Sequence, residues 1–307
     1  MRKAFCDTLL EAARHDDRIF LIVGDVGRGL MDSFAQEFPD RFLNVGVAEQ
    51  NMAGIAAGLA LCGKTVFYYS LPNFATIRCL EQIRNDICYH NASVKIVSGG
   101  GGIGLGVWGM THHGTEDIAV MRSLPNMTVV VPADPVEAAL ATRYIASTPG
   151  PVYLRLTKGR DPIVHHETPD FELGKAITVR EGDDVALIAT GGMVYNALLA
   201  ADLLAKDGIS ARVLSMHTLK PLDTSSICAA AKGTSAIVTV EEHGAIGGLG
   251  SAVAEALLAM NQHVAQFVKI SIEQPFTSVF GDYEYLLETH GLSVEAIYKR
   301  VKSLQGK

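Results

Sequence analysis

Short runs of apolar, largely β-branched residues alternate along this chain with stretches whose apolar positions recur every three or four residues. IFLIVGD (19–25), KTVFYYS (64–70), VKIVSGG (94–100), TVVVPAD (128–134) and PVYLRL (151–156) predict strands. The stretches 2–14, 46–62, 74–90, 115–123 and 135–147 between them predict helices. Strand–helix alternation of this kind predicts a mostly parallel sheet covered on both faces. From Thr157 to Glu181 the rhythm breaks, with Gly159, Pro162, Pro169 and Gly174 scattered among charges, and this segment reads as a linker. Beyond it the alternation resumes: DVALIAT (184–190), a helix at 193–207, ISARVLSM (209–216), a helix at 223–232, SAIVTVEE (235–242), a helix at 248–260 and VKISI (268–272). The expected fold class is α/β in two domains, each a mostly parallel sheet flanked by helices. The boundaries are 1–165 for the first domain, 166–180 for the linker and 181–307 for the second, smaller domain. The sequence holds no internal repeat and no low-complexity tract.

Composition narrows the function classes. The chain has 48% hydrophobic and 19% charged residues and 30 glycines, a globular profile that suits buried parallel sheets. A net charge of −7 reads as ordinary solubility, and no nucleic-acid partner is expected without a basic face. The five cysteines (Cys6, Cys62, Cys79, Cys88, Cys228) are scattered and form no C-x-x-C, which points away from a disulfide frame or a zinc site and toward a reducing, cytoplasmic location. The opening Met-Arg-Lys-Ala-Phe-Cys-Asp is no signal peptide. The longest small-apolar run, Ala53 to Cys62, is far short of the roughly 20 residues that span a bilayer, so no membrane partner is expected.

Three segments could carry chemistry. In NVGVAEQNMAGIAAGLALCG (44–63), a helix starting near Ala48 puts Met52, Ile55, Ala56 and Leu59 on one stripe, with Glu49 on the same face in the first turn. A carboxylate heading a buried face is costly unless something needs it there. The helix N-terminus offsets that cost by only a few tenths to about 1 kcal/mol. The pattern alone leaves open a first-turn glutamate that bonds backbone N–H groups or faces solvent. In YSLPNFATIRCLEQIRND (69–86), Ile77, Leu80, Ile83 and Ile87 make a core stripe; Phe74 sits ahead of it in a Pro-containing turn, as a core aromatic or as a ring projecting into a cleft. VSGGGGIGLGVWGMTHHGTED (97–117) formally contains G-x-G-x-x-G at 99–104. A dinucleotide fingerprint opens directly into a helix, whereas this run continues through Trp108 to His112 and His113, so the dinucleotide reading fails. A long, mobile, glycine-rich loop with two histidines is expected to carry function.

Taken in this order and spacing, these segments resemble the transketolase family, and most closely its split members, in which two chains make the enzyme. The likeness covers nearly the whole chain: RKAFCDTL, FPDRFLNVGVAEQNMAGIAAGLAL, LEQIRNDICY, THHGTEDIAVMRSLPNM, GPVYLRL and EEHGAIGGLGSAVAEAL. It implies a pyrimidine-binding domain followed by a transketolase C-terminal domain. The residues here include neither the family's diphosphate-binding domain nor its GDG…N motif, so the resemblance implies an N-terminal, diphosphate-binding partner subunit in an α2β2 assembly with self-association. Thiamine diphosphate would be shared between the chains, with Mg²⁺ or Ca²⁺ held by the partner. By the same resemblance Glu49 is the acid that bonds the cofactor's ring, a role that fits a carboxyl made more basic by burial. Phe74 matches the aromatic that stacks on the pyrimidine, His112 the histidine that touches substrate, and Asp25 an acidic residue near the cofactor. His113 should point elsewhere.

The substrate end departs from the family pattern. The usual Asp-Gly-Pro-Thr-His reads Trp108-Gly109-Met110-Thr111-His112, so an indole replaces the carboxylate that reads a sugar hydroxyl. Arg2 matches a phosphate-binding arginine. The usual serine after the first strand is Gly29, beside Arg28; a loop histidine falls at Gly100; a late arginine becomes Lys158, with Arg160 nearby. The cationic character survives in altered geometry, and Arg and Lys are not interchangeable in bidentate recognition. The expected activity is transfer of a two-carbon glycolaldehyde unit between a ketose donor and an aldose or keto-sugar acceptor. Specialised small sugars, such as apulose 4-phosphate or a sulfonated fructose, are the expected substrates. The alternatives are the β chain of the decarboxylating component of a 2-oxoacid dehydrogenase, which GDVG at 24–27 also resembles, and a non-catalytic scaffolding paralogue.

Overall fold

The computed structural model describes residues 1–158, 161–273, 276 and 278–304. Its strands are β1 (Ile19–Val23), β2 (Phe42–Asn44), β3 (Thr65–Ser70), β4 (Val94–Gly99), β5 (Thr128–Val130), β6 (Val152–Leu156), β7 (Ile177–Arg180), β8 (Val185–Ala189), β9 (Ala211–Ser215), β10 (Thr218–Lys220), β11 (Ala236–Gly244) and β12 (Gln266–Ile272). They form a seven-stranded sheet in the order β10-β5-β6-β4-β3-β1-β2 and a five-stranded sheet in the order β12-β11-β8-β9-β7. Among the named strands of the described residues, only the edge pairings β10–β5 and β7–β9 are antiparallel. Two α/β domains with mostly parallel sheets is the architecture that the strand–helix alternation predicts. β3, β4 and β6 are buried at every residue, as strands covered by helices on both faces must be.

The structure differs from the sequence reading where tertiary pairing overrides local pattern. The last residues of the linker segment form β7, an edge strand of the second sheet. β10 lies far along the chain yet completes the first sheet against β5. The stretch 74–90 is not one helix. It is a turn of helix at Pro72–Ala75, a 3-10 turn at Ile77–Cys79, a short α-turn at Leu80–Gln82 and a π-helical segment at Ile83–Cys88. Thr76 leaves helical geometry at φ −123°, ψ −78°, which turns Ile77 out to 43% exposure while Ile83 and Ile87 stay buried. The predicted stripe Ile77, Leu80, Ile83 and Ile87 is therefore broken at its first member. In the helix Glu49–Leu61 the buried face runs through Met52, Ala53, Ala56 and Ala57, with Ile55 and Leu59 half-buried at its margin.

In an open parallel sheet, ligands sit outside the carboxyl ends of the strands. Five contiguous strands, β6-β4-β3-β1-β2, send their carboxyl-end loops to one edge here. Those loops hold Lys158, the glycine-rich segment, Phe74, Asp25 with Arg28, and Glu49. Arg2 reaches the same edge because it opens the helix Arg2–His15, which runs back to the start of β1.

Candidate active site

Glu49 is the first residue of its helix and is 1% exposed. Its Oε1 accepts from the Ser70 hydroxyl at 3.2 Å, and its Oε2 accepts from Arg78 Nη1 at 2.7 Å. The sequence left open whether this carboxyl faced solvent; it faces inward. Gly24, just past β1, lies against it closely enough that a Cβ there would stand 3.4 Å from Oε1.

From Glu49 a row of planar groups leads outward. The Arg78 guanidinium lies 3.9 Å from the centroid of the Phe74 ring. Phe74 meets His112 edge-on at 5.2 Å between centroids, and His112 meets Trp108 edge-on at 5.0 Å. The Lys158 ammonium then sits 5.1 Å from the Trp108 ring centroid. His112 Nδ1 is engaged by the Thr111 hydroxyl at 2.9 Å, which leaves Nε2 for a ligand. Burial, and then the positive charge of Arg78, hold the His112 pKa below the usual histidine value, so its ring is neutral at pH 7. His113 points the other way: it is 1% exposed and its Nε2 bonds the Gly106 carbonyl at 2.9 Å.

At the outer end a cavity of about 280 Å³ is lined by Arg2, Asp25, Arg28, Tyr69, Trp108 and Lys158, among others. Three cations face one carboxylate across it, an excess of positive charge suited to an anionic group. Burial and the charge of Arg2 lower the Lys158 pKa. Asp25 takes a left-handed backbone (φ 55°). Its N–H donates to Asn44 Oδ1 at 3.1 Å, and its carboxylate stands 3.8 Å from Arg28. It lines the cationic cavity, while a Cβ on its neighbour Gly24 would meet Glu49. Arg160 lies outside the described residues.

The glycine-rich loop is not the open segment expected of a mobile loop: Gly99 to Gly106 are all buried. Their lack of side chains serves close packing. A Cβ on Gly101 would overlap the Arg155 guanidinium, and one on Gly102 (φ +64°) the Glu242 carboxylate. Arg155, 1% exposed in β6, pairs with Asp117 at 2.8 Å and donates to the carbonyls of Gly114 and Glu242. Glu242, on β11, accepts from the Ile103 N–H at 2.6 Å and the Tyr283 hydroxyl at 2.8 Å, so the second domain holds the floor of the loop. Burial pushes the Glu242 carboxyl up to about 7. The part of the loop that reaches solvent is Val107 to Thr111, which carries Trp108 at 54% exposure.

Sequence reasoning missed Arg78, Ser70, Arg155 and Glu242. Arg78 had a local signal, since it stands four residues after Phe74, the spacing at which helical side chains meet. The contacts of Arg155 and Glu242 join residues 87 apart in the chain and carry no such signal.

A site for a flat, nitrogen-bearing ring can be tested on the chain's own groups. A buried carboxyl oxygen already bonds a planar N–H donor that lies over an aromatic face, so the residues present fit such a ring. The transketolase pyrimidine binding domain profile matches residues 1–162, and the transketolase C-terminal domain profile matches residues 174–297. One subunit of an apulose-4-phosphate transketolase from Phocaeicola vulgatus is 41% identical, over 97% of this chain and 95% of its own. A 6-deoxy-6-sulfo-D-fructose transketolase subunit from a Clostridium species is also 41% identical, over 97% of this chain and 92% of its own. A solved split-gene transketolase, described as an inactive β4 tetramer, superposes with a TM-score of 0.88 at 39% identity, covering 98% of this chain and 96% of that one.

Proposed function

This chain belongs to the transketolase family, as the subunit of a two-chain enzyme that carries the pyrimidine-binding and C-terminal domains, and from that premise we propose how its residues work. In this reading residues 1–165 hold the pyrimidine of thiamine diphosphate, 166–180 join the domains and end in β7, and 181–307 brace the first domain. A partner subunit supplies the diphosphate-binding domain and its Mg²⁺ or Ca²⁺, in a cytoplasmic α2β2 assembly. Relatives of nearly equal length that are themselves named as subunits support this division.

The observation that carries the reading is the continuous row from buried Glu49 through Phe74, His112 and Trp108 to a cationic cavity. Thiamine diphosphate, when bound, supplies the carbanion chemistry that glycolaldehyde transfer needs. Glu49 would hold its ring through Oε2, and Phe74 would lie against the ring's flat face. With Nδ1 engaged by Thr111, His112 would present Nε2 to substrate oxygens. Arg2, Arg28 and Lys158 would take the anionic end of the sugar. Trp108 stands between His112 and Lys158, where it can neither accept a bond from a sugar hydroxyl nor leave the channel wide. The substrates are therefore read as specialised, a branched sugar phosphate or a sulfonated sugar, with the branched or keto-acceptor case favoured because it lacks the stereocentre that a carboxylate at position 108 would read.

Both chains should be mixed and assayed with apulose 4-phosphate, 6-deoxy-6-sulfofructose and xylulose 5-phosphate as donors. A higher kcat/KM for the branched or sulfonated donor is expected, with no turnover by this chain alone. Equal rates on xylulose 5-phosphate with ribose 5-phosphate would remove the substrate assignment.

A further inference from the structure

Arg78 makes, to Glu49 and to Phe74, the two contacts that the proposed function assigns to the cofactor's ring. Its planar guanidinium donates to Glu49 Oε2 at 2.7 Å and lies 3.9 Å from the Phe74 centroid. The other Glu49 oxygen accepts from Ser70, so the guanidinium stands at the oxygen that no buried side chain holds. We propose that Arg78 is a place-holder: it fills the ring's position while the cleft is without cofactor and must swing out for thiamine diphosphate to bind.

The physical case rests on asymmetry between the two partners. Glu49 is 1% exposed and fixed at the head of a helix, whereas Arg78 is 40% exposed on a chain of rotatable bonds. A buried carboxylate with no counter-charge is expensive, and breaking such a pair by removing one partner is strongly destabilising. An arginine able to reach in from solvent satisfies the carboxyl until a planar ring, whose nitrogen shares a proton with it, takes its place. The break in helical geometry at Thr76 gives Arg78 this access, because it turns Ile77 and Arg78 together to the exposed side while Phe74 stays half-buried. Arg78 thereby raises the concentration of cofactor needed, since an apparent Kd scales inversely with the fraction of molecules whose site is open.

This inference rests on the reading of Glu49 as the residue that bonds the cofactor, and the test separates the two. Arg78→Met keeps an unbranched side chain and loses the guanidinium. In the two-chain complex, thiamine diphosphate binding followed by calorimetry should tighten, by about tenfold if Arg78 occupies the cleft nine times in ten. In this chain alone, the same variant should melt a few degrees lower, and adding Glu49→Gln to it should restore much of that loss. Unchanged or weaker cofactor binding by Arg78→Met, or an unchanged melting temperature, overturns the place-holder. The underlying reading fails by a different result: Glu49→Gln in the complex with wild-type turnover, whatever Arg78 does.

Discussion

The molecule buries two glutamates at its functional edge, and they are held in opposite ways. Glu242 sits in the second domain with its oxygens satisfied by fixed groups, the Ile103 N–H and the Tyr283 hydroxyl, in a network that includes buried Arg155. Glu49 sits in the first domain and is satisfied by Ser70 and by an arginine that is 40% exposed. Both are almost wholly buried, at 2% and 1% exposure, so burial alone cannot distinguish them. The difference is the exposure of the partner. A carboxyl held on both oxygens by buried or backbone groups keeps those partners and serves as structure. A carboxyl satisfied by a displaceable side chain can exchange that partner for a ligand.

The largest effect that tests this contrast is on turnover. Glu49→Ala in the reconstituted complex should cut kcat by at least about a hundredfold, the scale of a lost acid–base group, while size-exclusion profiles of the complex stay unchanged. Glu242→Ala should do the reverse: removal of its carboxylate strands a buried N–H and a hydroxyl, a loss of about 1–3 kcal/mol visible in urea unfolding of the chain. If Glu49→Ala unfolds the chain while Glu242→Ala spares its stability, the contrast is inverted and the assignment with it. Next in size, Lys158→Met should raise KM for an anionic donor by roughly tenfold through loss of one charge-assisted contact, with kcat little changed. An unaltered KM would remove Lys158 from the anion site. Smaller again is the response of His112, whose pKa burial and the Arg78 charge hold down. Arg78→Met should raise its midpoint in an NMR titration, and a fall would contradict the arrangement.

A separate effect concerns pH. The Glu242 carboxyl is raised from 4.5 to about 7 in the fold, so between these values the folded state binds more protons than the unfolded one. Stability then falls as pH rises through that window. Glu241, also raised to about 7, adds to the fall, while His243, lowered to about 4, opposes it between there and 6.5. Glu242→Gln removes one of these contributions, so the melting temperature of the variant minus that of the wild type should increase from pH 5 to pH 8. A flat difference would show that Glu242 does not titrate there.

Much of the molecule was legible in the chain. The strands β1, β3, β4, β6 and β8 and the long helices announce themselves because each is a local apolar pattern of adequate length. Glu49, Phe74 and His112 were singled out by the family resemblance, the pattern alone leaving Glu49 and Phe74 open, and the structure joins Phe74 to His112 directly and to Glu49 through Arg78. The strands β2 and β10 were not legible, because each has three residues and, unlike the equally short β5 in its run of valines, stands in no β-branched run. The glycines at 101 and 102 read as loop flexibility, yet they are bare because Arg155 and Glu242, distant in sequence, fill the space their side chains would need.

The sequence by itself determined what is periodic or local: two α/β domains, the amphipathic helices, and a carboxyl and an aromatic at turns where side chains can enter a cleft. Only the tertiary structure decided which buried acid has a partly exposed partner, that an arginine bridges it to Phe74, and that the second domain clamps the glycine loop. Those are contacts between residues far apart in the chain. Hydrophobic patterning fixes which face of an element is buried but says nothing about which distant polar group meets it there.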